Sequence, residues 1–248
     1  MHSKHSVRNK LIAVLLFMVS LTSCSLANEN QNTVFITGAN RGIGLEYAKQ
    51  YSAAGWEVIG TTRKPEEATE LKATGATLIQ LDVTSDEDIA AMKKALQGKK
   101  IDLLINNAGV YIRDSDRQSL EFSFSVNTAG PLLVAEALIP NLKKSEHPKI
   151  VNVSSRTAIL TGAKGKSNAY AISKVGLNMV TRILHSRLSN NNFIVISLAP
   201  GRNQTDMGGK KASLTPAQSV PLIMQLMADL TKEKSGRFWY YDGTELPW

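Results

Sequence analysis

Tyr170 and Lys174 stand four residues apart in Asn168-Ala169-Tyr170-Ala171-Ile172-Ser173-Lys174. On a helix, residues i and i+4 share a face, so this spacing sets an ammonium beside a phenol. A neighbouring positive charge favours the phenolate and brings a tyrosine pKa down toward working pH. Upstream, the strand-like run Ile150-Val151-Asn152-Val153 ends in Ser154-Ser155. The Ser155 hydroxyl could hold the oxygen that exchanges a proton with such a phenol. The three residues together amount to chemistry on a carbonyl or an alcohol, and that chemistry needs a source of hydride.

Thr33-Val34-Phe35-Ile36-Thr37 runs directly into Gly38-Ala39-Asn40-Arg41-Gly42-Ile43-Gly44. An apolar strand, a glycine turn and a helix start make a dinucleotide site. The glycines permit the tight turn and let backbone N–H groups approach a pyrophosphate, which the helix dipole also favours. The spacing is G-x-x-x-G-x-G, and a glycine cluster after a strand is by itself as often a plain turn. Its meaning depends on what the rest of the chain places nearby.

The elements that must position these groups alternate regularly. Gly42 to Ala54 has helical spacing and stops at Gly55, and Trp56 to Thr61 is a second strand. Pro65 opens a helix running to about Thr74, followed by the strand Thr77 to Leu81. Thr84 and Glu87 form a capping-box pattern before a helix ending near Gln97-Gly98, and Ile101 to Ile105 is a fourth strand. A helix around Phe124 to Lys143, a strand from Lys149 to Val153, a helix from Ser167 to Ser189 and a strand from Phe193 to Leu198 complete the series. Strands apolar on both faces, alternating with helices, predict an α/β fold: one doubly wound domain with a central parallel sheet and helices on both faces. Such sheets bind ligands beyond the carboxyl ends of their strands. Gly38, Arg63, Asp82, Asn107, Ser155 and Pro200 each fall just after a predicted strand, so separate signals converge on one edge.

The chain has 248 residues, 43% hydrophobic and 20% charged, enough to bury one sizeable core. Residues 1–23 have a different character: Lys4, Arg8 and Lys10 precede the apolar run Leu11 to Val19 with no acidic residue. This reads as a signal peptide, too short in its apolar run for a transmembrane span. Leu21-Thr22-Ser23-Cys24 resembles a lipobox, in which Cys24 is acylated and becomes the first mature residue. Residues 24–32 would then be a short polar tether, and 33–248 the folded domain. Cleavage after Ala27, giving a soluble exported form, and translation from Met18, giving a cytoplasmic one, are the alternatives. The expected address is the bacterial cell envelope, with the membrane touched only through the lipid. Cys24 is the single cysteine, which excludes an internal disulfide framework. Without the leader, 26 basic against 21 acidic residues leave +5. These charges are spread rather than massed and lack interleaved aromatics, so nucleic acid is excluded as a partner. The histidines have no clustered ligand partners, so no metal is expected.

Several motifs, taken together, resemble those of the short-chain dehydrogenase/reductase family over residues 33–248, nearest its C-factor-like and carbonyl-reductase-like branch. Thr37 to Gly44 resembles the glycine motif, Asn106-Asn107-Ala108-Gly109 the NNAG motif, Ser155, Tyr170 and Lys174 the catalytic set, and Pro200-Gly201 the PG motif. The resemblance implies a Rossmann fold and hydride transfer between a nicotinamide cofactor and a small carbonyl or alcohol. Tyr170 would be the general acid/base, Lys174 its pKa modulator and ribose ligand, and Ser155 the holder of the substrate oxygen. Asn127 would hold a water that links the lysine to solvent. It further implies cofactor contacts from Gly38, Asn40, Arg41, Gly42, Ile43 and Gly44, from Asp82 and Val83, from Asn107, Ala108 and Gly109, and from Pro200, Gly201 and Thr205. A homo-oligomer is a weaker implication. A binding or signalling protein of C-factor type, displayed on the envelope without turnover, is the competing function.

Cofactor preference has a physical side. An NAD site usually ends its second strand in an acid that binds the ribose 2′-hydroxyl and repels a 2′-phosphate. Thr62-Arg63 stands there instead, and Arg63 and Arg41 could both reach a 2′-phosphate. NADP(H) is therefore expected over NAD. Where the family more often has apolar residues, Arg202 and Asn203 predict a more polar nicotinamide pocket. The run from Ser155 to Tyr170 is long, which leaves Ser154 and Thr157 as rivals to Ser155. The basic segment Lys210-Lys211-Ala212-Ser213 suggests a small or anionic substrate.

Overall fold

The computed structural model describes residues 31–163, 165 and 167–248. The leader, its alternative start and cleavage points, Cys24 and the tether up to residue 30 lie outside the described residues, as do Lys164 and Lys166. Residues 32–248 form one compact unit.

Its centre is an eight-stranded sheet. In chain order the strands are β1 (Thr33–Ile36), β2 (Glu57–Thr62), β3 (Thr77–Gln80), β4 (Leu103–Asn106), β5 (Lys149–Val153), β6 (Ile194–Ala199), β7 (Phe238–Tyr240) and β8 (Glu245–Leu246). They lie in the order β3-β2-β1-β4-β5-β6-β7-β8. All pairs are parallel except β7 with β8. The helices are α1 (Gly42–Ala53), α2 (Thr69–Ala73), α3 (Asp86–Ala95), α4 (Arg117–Phe124), α5 (Gly130–Leu142), α6 (Asn168–Leu188) and α7 (Pro216–Ala228).

Strand side chains alternate between two cores. Val34, Ile36, Leu103, Ile105, Val151, Ile196 and Leu198 pack on one face with α1 and α7 residues such as Tyr47, Ala48, Val220 and Ile223. Phe35, Leu104, Ile150 and Val195 point to the other, against Met92, Val134, Leu138, Leu177 and Leu184 from α3, α5 and α6. Both faces are thus covered, as the uninterrupted apolar runs require. Chain order reverses at β1 and β4, so the β1 and β4 ends flank the crevice where such sheets take their ligands.

Several boundaries differ from the sequence expectation. Pro65 opens only a 3-10 turn, Pro65–Glu67, and α2 starts afresh after Ala68, whose ψ of 57° breaks the helix. The cap of α3 is Ser85, which accepts from the Asp88 amide at 3.1 Å, rather than Thr84 paired with Glu87. The long helix begins at Arg117, capped by Asp116, and passes through a π-helical turn at Ser125–Ala129 before continuing as α5. Strands β7 and β8 extend the sheet beyond the six expected. At three and two residues they are too short to show a pattern.

Candidate active site

The loops at the carboxyl ends of β1, β2, β4, β5 and β6 meet at one edge. The turn after β1 is built on glycine. Gly38 and Gly42 have φ of +63° and +58°, a region L side chains avoid. A Cβ on Gly44 would come within 2.3 Å of the Gly38 carbonyl and 2.5 Å of Asn107 Nδ2. Asn107 Nδ2 donates to the carbonyls of Thr37 and Gly38 at 3.0 and 3.1 Å, and Thr37 Oγ1 accepts from the amides of Asn107 and Ala108, both at 2.9 Å. Asn107 therefore ties the β1 and β4 ends together. The N-cap of α1, Arg41, makes no side-chain capping bond, so no cap side chain takes up the first amides of the helix. Ile43 anchors that turn by packing on the core. This cradle fits a dinucleotide pyrophosphate: backbone donors at a helix start, and glycines where a Cβ would intrude.

Around it lie the other expected cofactor contacts. Asn40 and Arg63 are exposed, and Arg63 bears electrostatically on Asp82. Asp82 Oδ1 accepts from the amide and hydroxyl of Thr84 at 2.9 and 2.7 Å, so this carboxylate does cap a turn. Val83 is buried against Gly130. Arg41 pairs with Asp206 at 2.9 Å, both well exposed, and a Cβ on Gly42 would meet Thr205 at 3.1 Å. The loop after β6 thus closes onto the glycine turn. Gly201, at φ +75°, has Leu214 and Tyr241 where a side chain would go, and the Pro200 carbonyl accepts from Asn203 Nδ2 at 2.8 Å. Asn203 is buried and also accepts from Ser219 at 2.7 Å. It staples the loop to α7 instead of lining a nicotinamide pocket, a correction to the sequence reading. Arg202 alone of that pair is exposed.

Helix α6 presents Tyr170 and Lys174 to the end of β5. Tyr170 is 8% exposed and Lys174 4%. Lys174 Nζ donates to the Val153 carbonyl at 2.7 Å and lies 5.8 Å from the centre of the Tyr170 ring. Burial brings the Lys174 ammonium down to about 7. Burial also pushes the Tyr170 phenol up to about 12, against a smaller downward pull from the Ser155 hydroxyl. The expectation that Lys174 lowers the tyrosine is thus not what this arrangement does. Desolvation outweighs the pairing: the phenol keeps its proton at neutral pH, and Lys174 is poised there between its charged and neutral forms.

The choice among the serines is geometric. Ser154 is buried, its hydroxyl given to Asn178 Oδ1 at 2.7 Å, whereas Ser155 faces Tyr170. Thr157 supports Ser155, donating from its amide and hydroxyl at 3.2 and 3.0 Å. Asn127 sits in the π turn, a distortion frequent at functional sites. Its Oδ1 accepts from the Val110 amide, and its Nδ2 donates to the Val110 carbonyl and to Ser173 Oγ. It thereby pins the NNAG loop to α6. A Cβ on Gly109 would lie 3.0 Å from Asn127 Oδ1 and 3.6 Å from Lys174 Nζ, so only glycine leaves the space between them open.

Two neighbours were not foreseen. Tyr111 packs edge-on against Tyr170 with ring centres 4.9 Å apart and hydrogen-bonds Ser167 at 2.6 Å. Arg113 lies over the Tyr111 ring. Both follow β4 by a few residues, so the rule that ligands sit beyond strand ends could have found them.

A family model for short chain dehydrogenases matches residues 32–214. The chain is 38% identical to "C-signal" of Myxococcus xanthus over 154 residues, 60% of this chain and 93% of that protein. It is 34% identical over 229 residues to the 1-hydroxy-2-glutathionyl-2-methyl-3-butene dehydrogenase of Rhodococcus sp. strain AD45, covering 88% of this chain and 100% of that one. The NADPH-bound carbonyl reductase from chicken fatty liver has a similar structure, with TM-score 0.81 and 28% identity over 88% of this chain and 99% of that one. With the Rossmann sheet and the convergent edge, these similarities establish that the chain belongs to the short-chain dehydrogenase/reductase family and is an NAD(P)-dependent oxidoreductase.

Proposed function

We propose that this enzyme reduces a small carbonyl compound to its alcohol with NADPH as reductant. The observation that carries the reading is Tyr170: a buried phenol that stays protonated at neutral pH, faced by Ser155 and backed by Lys174. A general acid must carry its proton before the reaction begins. When bound, the nicotinamide supplies the hydride to the carbonyl carbon.

The residues of the chain do the rest. Ser155 donates a hydrogen bond to the carbonyl oxygen and holds it against the Tyr170 hydroxyl. Tyr170 gives that oxygen its proton, because the forming alkoxide is far more basic than a phenolate. Lys174, next to the ring, stabilises the phenolate left behind when it carries its own proton, and one proton drawn from solvent then returns Tyr170 to the phenol. Asn127 fixes the loop that covers Lys174. Arg63 and Arg41 support NADPH over NADH, since each can donate to a 2′-phosphate and no acid stands at the β2 end.

The test is NADPH oxidation by the purified full chain on a panel of aldehydes and ketones, with Tyr170→Phe alongside. Turnover in the native protein, lost by about a thousandfold or more in Tyr170→Phe while NADPH still binds, is the expected result. Undiminished turnover in Tyr170→Phe refutes the assignment.

A further inference from the structure

Arg113 follows β4 and Arg202 follows β6; both are exposed, and both act on Tyr111, whose ring packs on Tyr170. Among the described residues, neither is paired with a carboxylate. The guanidinium of Arg113 lies 5.6 Å from the centre of the Tyr111 ring. Arg202 is tethered by its Nε, which donates to the Gly208 carbonyl at 3.1 Å. That anchor leaves its two terminal nitrogens, a planar pair of donors, directed elsewhere. Tyr111 connects both arginines to the reacting centre, since its ring rests on Tyr170 and its hydroxyl on Ser167.

Two of the three acids nearby are engaged elsewhere. Asp206 is bonded to Arg41 and Asp116 caps α4, while the Asp114 carboxylate, next to Arg113 in the chain, makes no ion pair with either arginine among the described residues. The Tyr111 phenol is drawn below its ordinary range by the Ser167 hydrogen bond and then, against some burial, by Arg113 and Arg202. Arg113 acts on that phenol first through a hydrogen bond and then through its charge, Arg202 through its charge alone, so both cations act at a ring that packs on Tyr170. An arginine fork matches a carboxylate in shape as well as charge.

We propose that the substrate carries an anionic group, a carboxylate in the first instance, close to its reacting carbonyl, and that Arg113 and Arg202 recognise that group beside Tyr111. The proposal rests on the reductase reading above. It assigns substrate specificity to two arginines from different strand ends rather than to the Lys210-Lys211 segment.

The experiment compares 4-formylbenzoate with its methyl ester, which share the aldehyde and differ in charge. Initial rates of NADPH oxidation are measured with the full chain at low and high ionic strength. The native enzyme is expected to favour the acid by about tenfold in kcat/KM, mainly through KM, with the preference shrinking as salt rises. In Arg113→Gln/Arg202→Gln the ratio of acid to ester falls toward one. The ratio is read within each protein, so a loss of folded fraction in the variant cancels. Equal or better use of the ester by the native enzyme, or a ratio unchanged in the double variant, overturns the proposal and leaves the reductase reading intact. Failure of the native enzyme, with NADPH bound, to reduce these two aldehydes or any other member of the aldehyde and ketone panel overturns the reductase reading and the proposal with it.

Discussion

Replacing Lys174 with methionine should stabilise the fold at neutral pH, and the gain should disappear as the solution becomes alkaline. Lys174 is 4% exposed, and burial brings its pKa from 10.5 to about 7. By linkage that displacement corresponds to roughly 5 kcal/mol of preference for the neutral amine in the fold. Below pH 7 the folded protein bears the whole cost of the desolvated charge. Between pH 7 and 10.5 the unfolded chain holds a proton that the folded one lacks, so folding stability rises by about 1.4 kcal/mol per pH unit. Above 10.5 both states are neutral and the cost is gone. Methionine has no such titration, although it leaves the Val153 carbonyl without its 2.7 Å donor, a loss that does not depend on pH.

The stability of Lys174→Met minus that of the native protein should therefore fall by roughly 3 kcal/mol between pH 7.5 and 9.5. The upward shift of Tyr170 works in the opposite sense, adding stability below pH 10 that is lost as pH rises through about 12. It is common to both proteins and lies above this window. Urea unfolding at matched ionic strength, read by intrinsic fluorescence, gives the two curves. A difference that stays constant across the window, or grows with pH, would show that Lys174 is charged in the fold and would refute the reasoning.

Gly44→Ala should cost about 1–3 kcal/mol of stability through overpacking, because its Cβ would meet the Gly38 carbonyl at 2.3 Å and Asn107 Nδ2 at 2.5 Å. Thermal unfolding and an NADPH fluorescence titration should both register the change, and a melting temperature and affinity equal to the native protein's would contradict the described packing. Arg63→Glu should weaken NADPH binding by about tenfold or more while sparing NADH, since it sets an acid where the 2′-phosphate would lie. The ratio of the two dissociation constants is the readout, and an unchanged ratio removes Arg63 from the cofactor site.

The sequence alone determined a parallel sheet of six strands covered by helices and the edge on which the motifs converge. Double-sided apolar strands such as Thr33 to Ile36 and Ile194 to Leu198 can only be buried between helices, and glycine is required wherever a backbone turns left-handed or another chain segment approaches closely. Those are local constraints, legible from residue type and spacing. What tertiary structure decided depends on groups far apart in the chain. Ser155 rather than Ser154 meets Tyr170 because Ser154 is committed to Asn178, and Asn203 turns inward because Ser219 awaits it. The Tyr170 and Lys174 pair shows the difference best. Their spacing implied a phenol made acidic by its neighbour. Their shared burial, which no spacing encodes, makes desolvation the larger effect and holds the proton on the tyrosine, where an acid for carbonyl reduction needs it.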